Sequence, residues 1–294
     1  MPAPVIVFCY NRPEHLRKTV EQLKRCNLAG DTTVFFFSDG SRDSNDLHDV
    51  IMVREYLHKV RGFKEIMLEF SDENKGLANS VIAGVSKVIN EFGTAIVLED
   101  DILVSEDFLE FCNDGLNFYA EDKRIYSISG YSFLLENCTF ASPLNLVHRA
   151  SSWGWATWKD RWNSVNWNPS LEAFFHDSNA VNNFRKGGGD LPVMLKKNSI
   201  NLIDSWAIRW SYHHFVNNSY CLVPKYSKVK NIGTDGSGTN FRSVVHKYSS
   251  NLDDNGIVFE KMITENDDVT NFILNKFKPS RIRRLINILK YGIS

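Results

Sequence analysis

The run Gly93-Thr94-Ala95-Ile96-Val97-Leu98-Glu99-Asp100-Asp101 takes an apolar stretch straight into three adjacent carboxylates. Such carboxylates repel one another unless a cation is shared, and hard oxygen donors suit Mg2+ or Mn2+ far better than zinc. Ala95 to Leu98 is too short and too apolar for a surface helix, so it reads as a strand buried on both faces. In open α/β sheets ligands bind beyond the carboxyl ends of the strands, which is where Glu99, Asp100 and Asp101 then stand. A divalent metal bridging to a diphosphate is the occupant this chemistry calls for. The competing reading is that Ser105, Glu106 and Asp107 merely cap a following helix and the acids are solvated.

The segments that must position these acids alternate strand and helix. Val5 to Cys9 reads as a strand, followed by a helix opened at Arg12-Pro13-Glu14 with Leu16, Val20 and Leu23 on one stripe. Thr33 to Phe37 is a second strand ending in Asp39-Gly40-Ser41, and Glu65 to Phe70 a third ending before Asn74-Lys75-Gly76. Helical stripes follow each: Leu47, Val50, Ile51 and Leu57, then Leu77, Val81, Val85 and Val88. This alternation implies right-handed crossovers, a parallel sheet and a three-layer α/β/α sandwich whose strand-end loops form a nucleotide-sized crevice. No loop has the form of a dinucleotide fingerprint or a Walker-type lysine loop, so a bound phosphate would need a metal and side chains to neutralise it.

Beyond residue 120 the alternation fades. Ile125 to Ser129 reads as a strand, and Trp153, Trp155, Trp158, Trp162 and Trp167 crowd the next stretch. The polar segment Ser178 to Lys197, with Gly187-Gly188-Gly189, reads as a mobile loop or lid. A helix is expected from Leu202 through Asp204, Trp206 and Trp210 towards Phe215, with His213 and His214 as a satisfied pair rather than metal ligands. A short strand at Tyr220 to Val223 and the segment Pro224 to Gly233 precede a flexible Thr234 to Asn240.

The 294 residues, 43% hydrophobic, suffice for one large domain with a real core, and the formal net charge of -1 gives no footprint for nucleic acid. Five scattered cysteines, Cys9, Cys26, Cys112, Cys138 and Cys221, read as free thiols of a reducing compartment. With no leader pattern and no apolar run long enough to span a bilayer, a cytoplasmic protein is expected.

Taken in order, Tyr10-Asn11-Arg12-Pro13, Asp39-Gly40-Ser41, Asn74-Lys75-Gly76-Leu77-Ala78-Asn79 and Leu98-Glu99-Asp100-Asp101 resemble the nucleotide-sugar half of GT-A glycosyltransferases. The Glu-Asp-Asp form is similar to that of N-acetylglucosaminyltransferases acting on N-glycans and of bacterial sugar transferases related to them. The resemblance continues through Ser151-Ser152-Trp153-Gly154-Trp155-Ala156-Thr157-Trp158, Asp204-Ser205-Trp206 and Pro224 to Gly233. It implies a GT-A fold divided as 1–120 (nucleotide-sugar half), 121–275 (acceptor and catalytic half) and 276–294 (a basic C-terminal helix). It also implies that Tyr10, Asn11, Arg12, Lys75 and Glu99 lie at the donor, that Asp39 accepts from the N3–H of a uracil-like base, and that Asp100 touches ribose or donor sugar. Asp101 would ligate Mn2+ or Mg2+, with His246 a further candidate ligand. Asp204 matches the family's catalytic base, although here Ser205 replaces the second of two adjacent acids.

The chemistry agrees with the resemblance. Displacing a nucleoside diphosphate from an anomeric carbon needs a cation for the leaving group and a base for the attacking hydroxyl. Asp101 with a metal would supply the first. Asp204, with apolar surroundings from Trp206 and Trp210, would supply the second, and a single displacement would invert the anomeric centre. Trp153, Trp155 and Trp206 are expected at the saccharide or lipid-linked saccharide acceptor, since indoles stack on sugar faces. A bacterial surface polysaccharide is the expected product. The alternatives are a sugar nucleotidyltransferase, which would want a Gly-rich basic loop after the first strand, and a saccharide-binding module derived from a transferase. Lys276, Lys278, Arg281, Arg283, Arg284 and Lys290, with Ile282, Leu285, Ile286 and Leu289 at helical spacing, make a basic amphipathic tail that either touches anionic membrane or docks on its own domain.

Overall fold

A computed structural model describes residues 1–233 and 250–293. The first half follows the alternation: β1 (Val5–Cys9), α1 (Pro13–Leu23), β2 (Thr33–Ser38), α2 (Ser44–Leu57), β3 (Glu65–Phe70), α3 (Leu77–Phe92) and β4 (Thr94–Glu99). Local chemistry sets the boundaries. Pro13 opens α1, the Asp43 carboxylate accepts from the Asn45 N–H to cap α2, and α3 ends at Gly93 in the left-handed region at φ 81°.

The second half is less regular: β5 (Ile102–Val104), α4 (Phe108–Phe118), β6 (Ile125–Ser129), β7 (Leu144–Val147), β8 (Trp155–Trp158), α5 (Lys159–Asn163), α6 (Glu172–His176), α7 (Ser178–Phe184), α8 (Leu191–Ser199), α9 (Trp206–Val216), β9 (Tyr220–Pro224), β10 (Val229–Asn231), α10 (Asp267–Lys276) and α11 (Arg281–Tyr291).

Eight strands form the main sheet in the order β3-β2-β1-β4-β8-β6-β9-β7, and β10 pairs antiparallel with β5 beside it. The pairings β1–β2, β2–β3, β1–β4 and β6–β9 are parallel. β8 runs antiparallel to both β4 and β6, and β7 to β9, so the sheet is parallel through β4 and mixed beyond it. Alternation along each strand feeds two cores. Val5, Val7 and Cys9 face one, with α1, α2, α4 and α10; Ile6 and Phe8 face the other, with α3 and α9. The result is the three-layer sandwich expected.

Two local expectations are overturned. Ser178 to Lys197 is not a loop or lid: α7 and α8 pack Val181, Phe184, Leu191 and Leu195 with Leu171, Phe174 and Ile208 into a third apolar cluster. The polar composition had concealed apolar residues at helical spacing. The helix expected from Leu202 starts instead at Trp206, where the Ser205 hydroxyl accepts from the Ile208 N–H, so Asp204 lies in the preceding loop. His213 and His214 are satisfied in the core, as expected: His214 meets the Ser127 hydroxyl and the Trp210 carbonyl, and His213 meets the Ser164 hydroxyl. All five cysteines are free and buried.

Lys228 fixes β10 against the end of β5. It is 0% exposed, and its Nζ donates to Asp107 Oδ2 at 2.6 Å, Asp253 Oδ2 at 3.2 Å and the carbonyls of Asp253 and Asn255. Removing one partner of a buried ionic cluster leaves uncompensated charge, which costs far more than the cluster contributes when intact. Lys228→Met is therefore expected to lower the unfolding free energy by about 3 to 5 kcal/mol. Urea denaturation followed by circular dichroism checks this; an unchanged midpoint would show that Lys228 does not fix this corner of the fold.

Candidate active site

β1 and β4 are neighbours in register, Phe8 opposite Glu99, so the residues that follow each strand emerge side by side at one edge. Arg12, immediately before α1, directs Nη1 to Asp101 Oδ2 at 2.6 Å and lies 3.9 Å from Asp100 Oδ1. Asp100 and Asp101 are only 7% and 8% exposed. Asp100 Oδ2 accepts from the Tyr10 backbone N–H, and its carbonyl accepts from the Thr19 hydroxyl. These bonds hold the acidic run at the shared carboxyl end of β1 and β4.

Burial and the charge of Asp101 push Asp100 up to about 7, against the pull of Arg12 and the Tyr10 N–H. Glu99, half-buried, is pushed well above the usual carboxylate range by burial, then by Asp101 and Asp100, with Arg12 opposing. One cation serves three acids poorly, so the cluster tends to hold protons.

The donor set fits a hard divalent cation. Asp101 Oδ1 is buried and has no hydrogen-bond partner among the described residues, while Oδ2 is taken by Arg12. A buried carboxylate oxygen left in this state is costly unless a ligand completes it. Gly233 closes the other side: its N–H is held by Asn231 Oδ1, the Ile232 N–H donates to the Asp101 carbonyl, and a Cβ at Gly233 would collide with the Asp101 carboxylate. Among the described residues no three His, Cys, Asp or Glu side chains converge as a full metal cage, so any cation here would take most of its ligands from elsewhere. His246 lies outside the described residues.

The remaining donor-side candidates gather at the same edge in supporting positions. Asp39 Oδ1 accepts from the N–H groups of Gly40 and Lys75, and Oδ2 from that of Gly76, which ties the loop after β2 to the loop after β3. An ionised carboxylate has about four acceptor sites, so capacity remains after three amides. The Lys75 side chain is exposed, and its backbone makes the contact. Tyr10 and Asn11 both bond to Asp46 in the first turn of α2, the former through its hydroxyl and the latter through Nδ2 at 2.9 Å. Asp46 was not foreseen, because nothing in its sequence surroundings marks it.

Asp204 stands apart from the acidic run. β8 places Trp155 opposite Val97, two residues before Glu99, and Trp206 stacks on Trp155 with ring centroids 5.1 Å apart. The start of α9, with Asp204 just before it, is thereby packed against β8. Asp204 is exposed and pairs with Arg209 Nη2 at 2.7 Å. The apolar surroundings expected for it are absent, because Trp206 and Trp210 turn into the core, 3% and 0% exposed.

The same packing corrects two acceptor candidates. Trp155 is 0% exposed and Trp206 is buried beside it, so both are core rather than saccharide platforms. Trp153 is half-buried, edge-on to Tyr131 at 4.6 Å. Trp167 lines a cleft of about 880 Å3 that also includes Phe175, His176, Asn198, Asp204 and Arg209. Glu99 to Asp101 contribute none of its wall. Trp167 was visible only as one aromatic among many; its half-exposure depends on the non-local packing of α9.

The raised Asp100 has a measurable consequence. Between about pH 4, where a free aspartate ionises, and about pH 7, the folded chain keeps a proton the unfolded chain has released, so stability falls as pH rises through this window. Asp100→Asn keeps an oxygen for the Tyr10 N–H. In metal-free protein it is expected to raise the thermal midpoint at about pH 8 and change it little at about pH 4. Differential scanning fluorimetry across pH tests this, and an equal effect at both ends would mean Asp100 is not proton-loaded by the fold.

Residues 5–121 match the family model described as Glycosyl transferase family 2. No curated protein matches the chain. Among solved structures, it is similar to a mannosyltransferase from Pyrobaculum calidifontis in complex with GDP-Man and Mn2+, at 15% identity, covering 54% of this chain and 47% of that one, TM-score 0.39. Residues 1–349 of TarS from S. aureus are similar at 12% identity, with 99% and 73% covered and TM-score 0.47. Mouse xyloside xylosyltransferase 1 is similar at 8% identity, with 73% and 81% covered and TM-score 0.39. The chain spans about half the length of that mannosyltransferase and about a third of the longer TarS chain (47% and 35%). The matched residues 5–121 hold the parallel β3-β2-β1-β4 strands and the acidic strand end of the α/β sandwich.

Proposed function

We propose that the chain transfers a sugar from a nucleotide-sugar donor, a UDP-sugar by preference, to a hydroxyl of a saccharide acceptor, with inversion and with dependence on Mn2+ or Mg2+. The observation that carries this reading is Asp101 Oδ1, a buried carboxylate oxygen without a hydrogen-bond partner among the described residues, beside Arg12 at the shared end of β1 and β4. Asp101 would hold the cation, and the cation when bound supplies positive charge to a departing diphosphate. Arg12 adds a fixed positive charge at the same place. Asp100 and Glu99 face the donor's ribose and sugar, and Asp39 uses its remaining acceptor capacity for the base N3–H. Tyr10, Asn11 and Lys75 shape the walls between them.

On the acceptor side, Asp204 takes the proton of the attacking hydroxyl as its oxygen bonds to the anomeric carbon. The bond to the diphosphate oxygen breaks on the opposite face of the ring, which inverts the centre. Arg209 holds the Asp204 carboxylate in one orientation, and Trp167 offers an aromatic face within the cleft. A cleft of this breadth, walled by polar and aromatic groups, suits the end of a growing chain such as a bacterial surface polysaccharide.

Two substitutions separate the roles. Asp101→Ala is expected to abolish Mn2+-dependent binding of a nucleoside diphosphate, read by titration calorimetry. Asp204→Asn should leave that binding unchanged and reduce sugar transfer by about 10² to 10⁴-fold, the usual contribution of a general base. If both variants lost donor affinity equally, or if Asp204→Asn transferred at the parent rate, the division of labour would be wrong.

A further inference from the structure

α11 presents an apolar ridge to solvent. Ile282, Leu285 and Leu289 are 73%, 62% and 86% exposed, while Asn287 is 3% exposed. Residues spaced three and four apart share one stripe of a helix, so these three form a continuous outward ridge. Arg281 flanks the ridge on one side, and Arg283 and Lys290 flank it on the other. From residue 269 to 294 the sequence contains no Asp or Glu, against the six cations Lys276, Lys278, Arg281, Arg283, Arg284 and Lys290.

The helix is locally well defined. The Ser280 hydroxyl accepts from the Arg283 N–H at its start, and Gly292 ends it in the left-handed region at φ 69°. Its inner side packs on α8, where Lys197 Nζ sits 5.3 Å from the centre of the Tyr291 ring. Among the described residues no helix is long and apolar enough to cross a membrane. An apolar ridge bordered by cations on both flanks is instead the pattern of a helix lying in the headgroup layer, with alkyl groups among the acyl chains and basic groups among lipid phosphates.

The position of α11 relative to the acceptor cleft gives the contact a consequence. Tyr291 and the two residues after it form part of the wall of the Asp204 cleft, and Ile200 and Leu202, 45% and 58% exposed, line the same space. We propose that α11 docks the chain on the surface of an anionic lipid membrane and thereby sets the Asp204 cleft beside saccharides carried on lipid. The docking stands on the helix alone; the choice of a lipid-linked acceptor rests on the transferase reading above.

Vesicle flotation of the full chain tests the docking. Binding is expected to vesicles containing phosphatidylglycerol, to weaken with added salt, and to be at least about tenfold weaker on phosphatidylcholine alone. The triple variant Ile282→Ser, Leu285→Ser, Leu289→Ser should lose at least about tenfold of that binding while keeping its thermal midpoint and its Mn2+-dependent affinity for UDP. Absence of binding to anionic vesicles, or equal binding by the variant, would overturn the docking. So would a dimer in sedimentation velocity that the variant dissolves, since the ridge would then belong to a second copy. In transfer assays the variant should lose turnover of a vesicle-embedded lipid-linked saccharide and retain turnover of the same saccharide free in solution. Equal loss of both would overturn the acceptor assignment, whereas a parent chain that bound vesicles but not UDP would sink the transferase reading and leave the docking intact.

Discussion

Three carboxylates at the end of a buried strand repel one another, and the parallel neighbour β1 supplies the charge that offsets them. Arg12 sits where β1 leaves the sheet and reaches Asp101 and, more distantly, Asp100. The offset is partial, because burial and mutual repulsion still push Asp100 and Glu99 upward. A folded chain rarely retains such a concentration of charge for stability, since burying carboxylates is costly unless each is paired. The surrounding architecture serves to keep the cluster in place: the Tyr10 N–H on the Asp100 carboxylate, the Thr19 hydroxyl on the Asp100 carbonyl, and Gly233 close against the Asp101 side chain.

The second half of the chain contributes position more than charge. β8 reverses direction beside β4 and carries Trp155 into a cluster with Trp162, Trp206 and Trp210. Large aromatics provide much buried area for few residues, and here they lock the start of α9 against β8. Asp204, just outside that helix, remains exposed and is oriented by Arg209. Lys228 performs the corresponding task for β10 by drawing Asp107 and Asp253 together and fixing the strand that leads to Gly233. Rigid framing of this kind lets a few side chains act with defined geometry.

Much of the first half of the chain was legible in the sequence, since short apolar runs separated by amphipathic helices have one economical solution as a parallel sheet. Strand ends then identified Tyr10, Asn11, Arg12, Asp39, Lys75 and the acidic run as residues of a single edge, because that conclusion needs only local pattern and handedness. The second half was less readable for physical reasons. Trp155 and Trp206 were taken for sugar platforms, yet whether an indole faces solvent depends on which distant helix covers it. Ser178 to Lys197 looked like a lid because its surface positions are polar, while Val181, Phe184, Leu191 and Leu195 meet Ile208 only through tertiary packing. The Asp46 contacts with Tyr10 and Asn11 join residues far apart in the chain and leave no local trace.

The central claim is that the acidic strand end is completed by a divalent cation together with a diphosphate. Electron paramagnetic resonance of Mn2+, titrated with protein in the presence and absence of UDP, measures this directly, because the signal of free Mn2+ diminishes as the ion is bound. The expected result is weak uptake by the protein alone and strong uptake once UDP is added, lost when Asp101 is replaced. Uptake no greater than UDP alone produces, or strong uptake that survives replacement of Asp101, would contradict it.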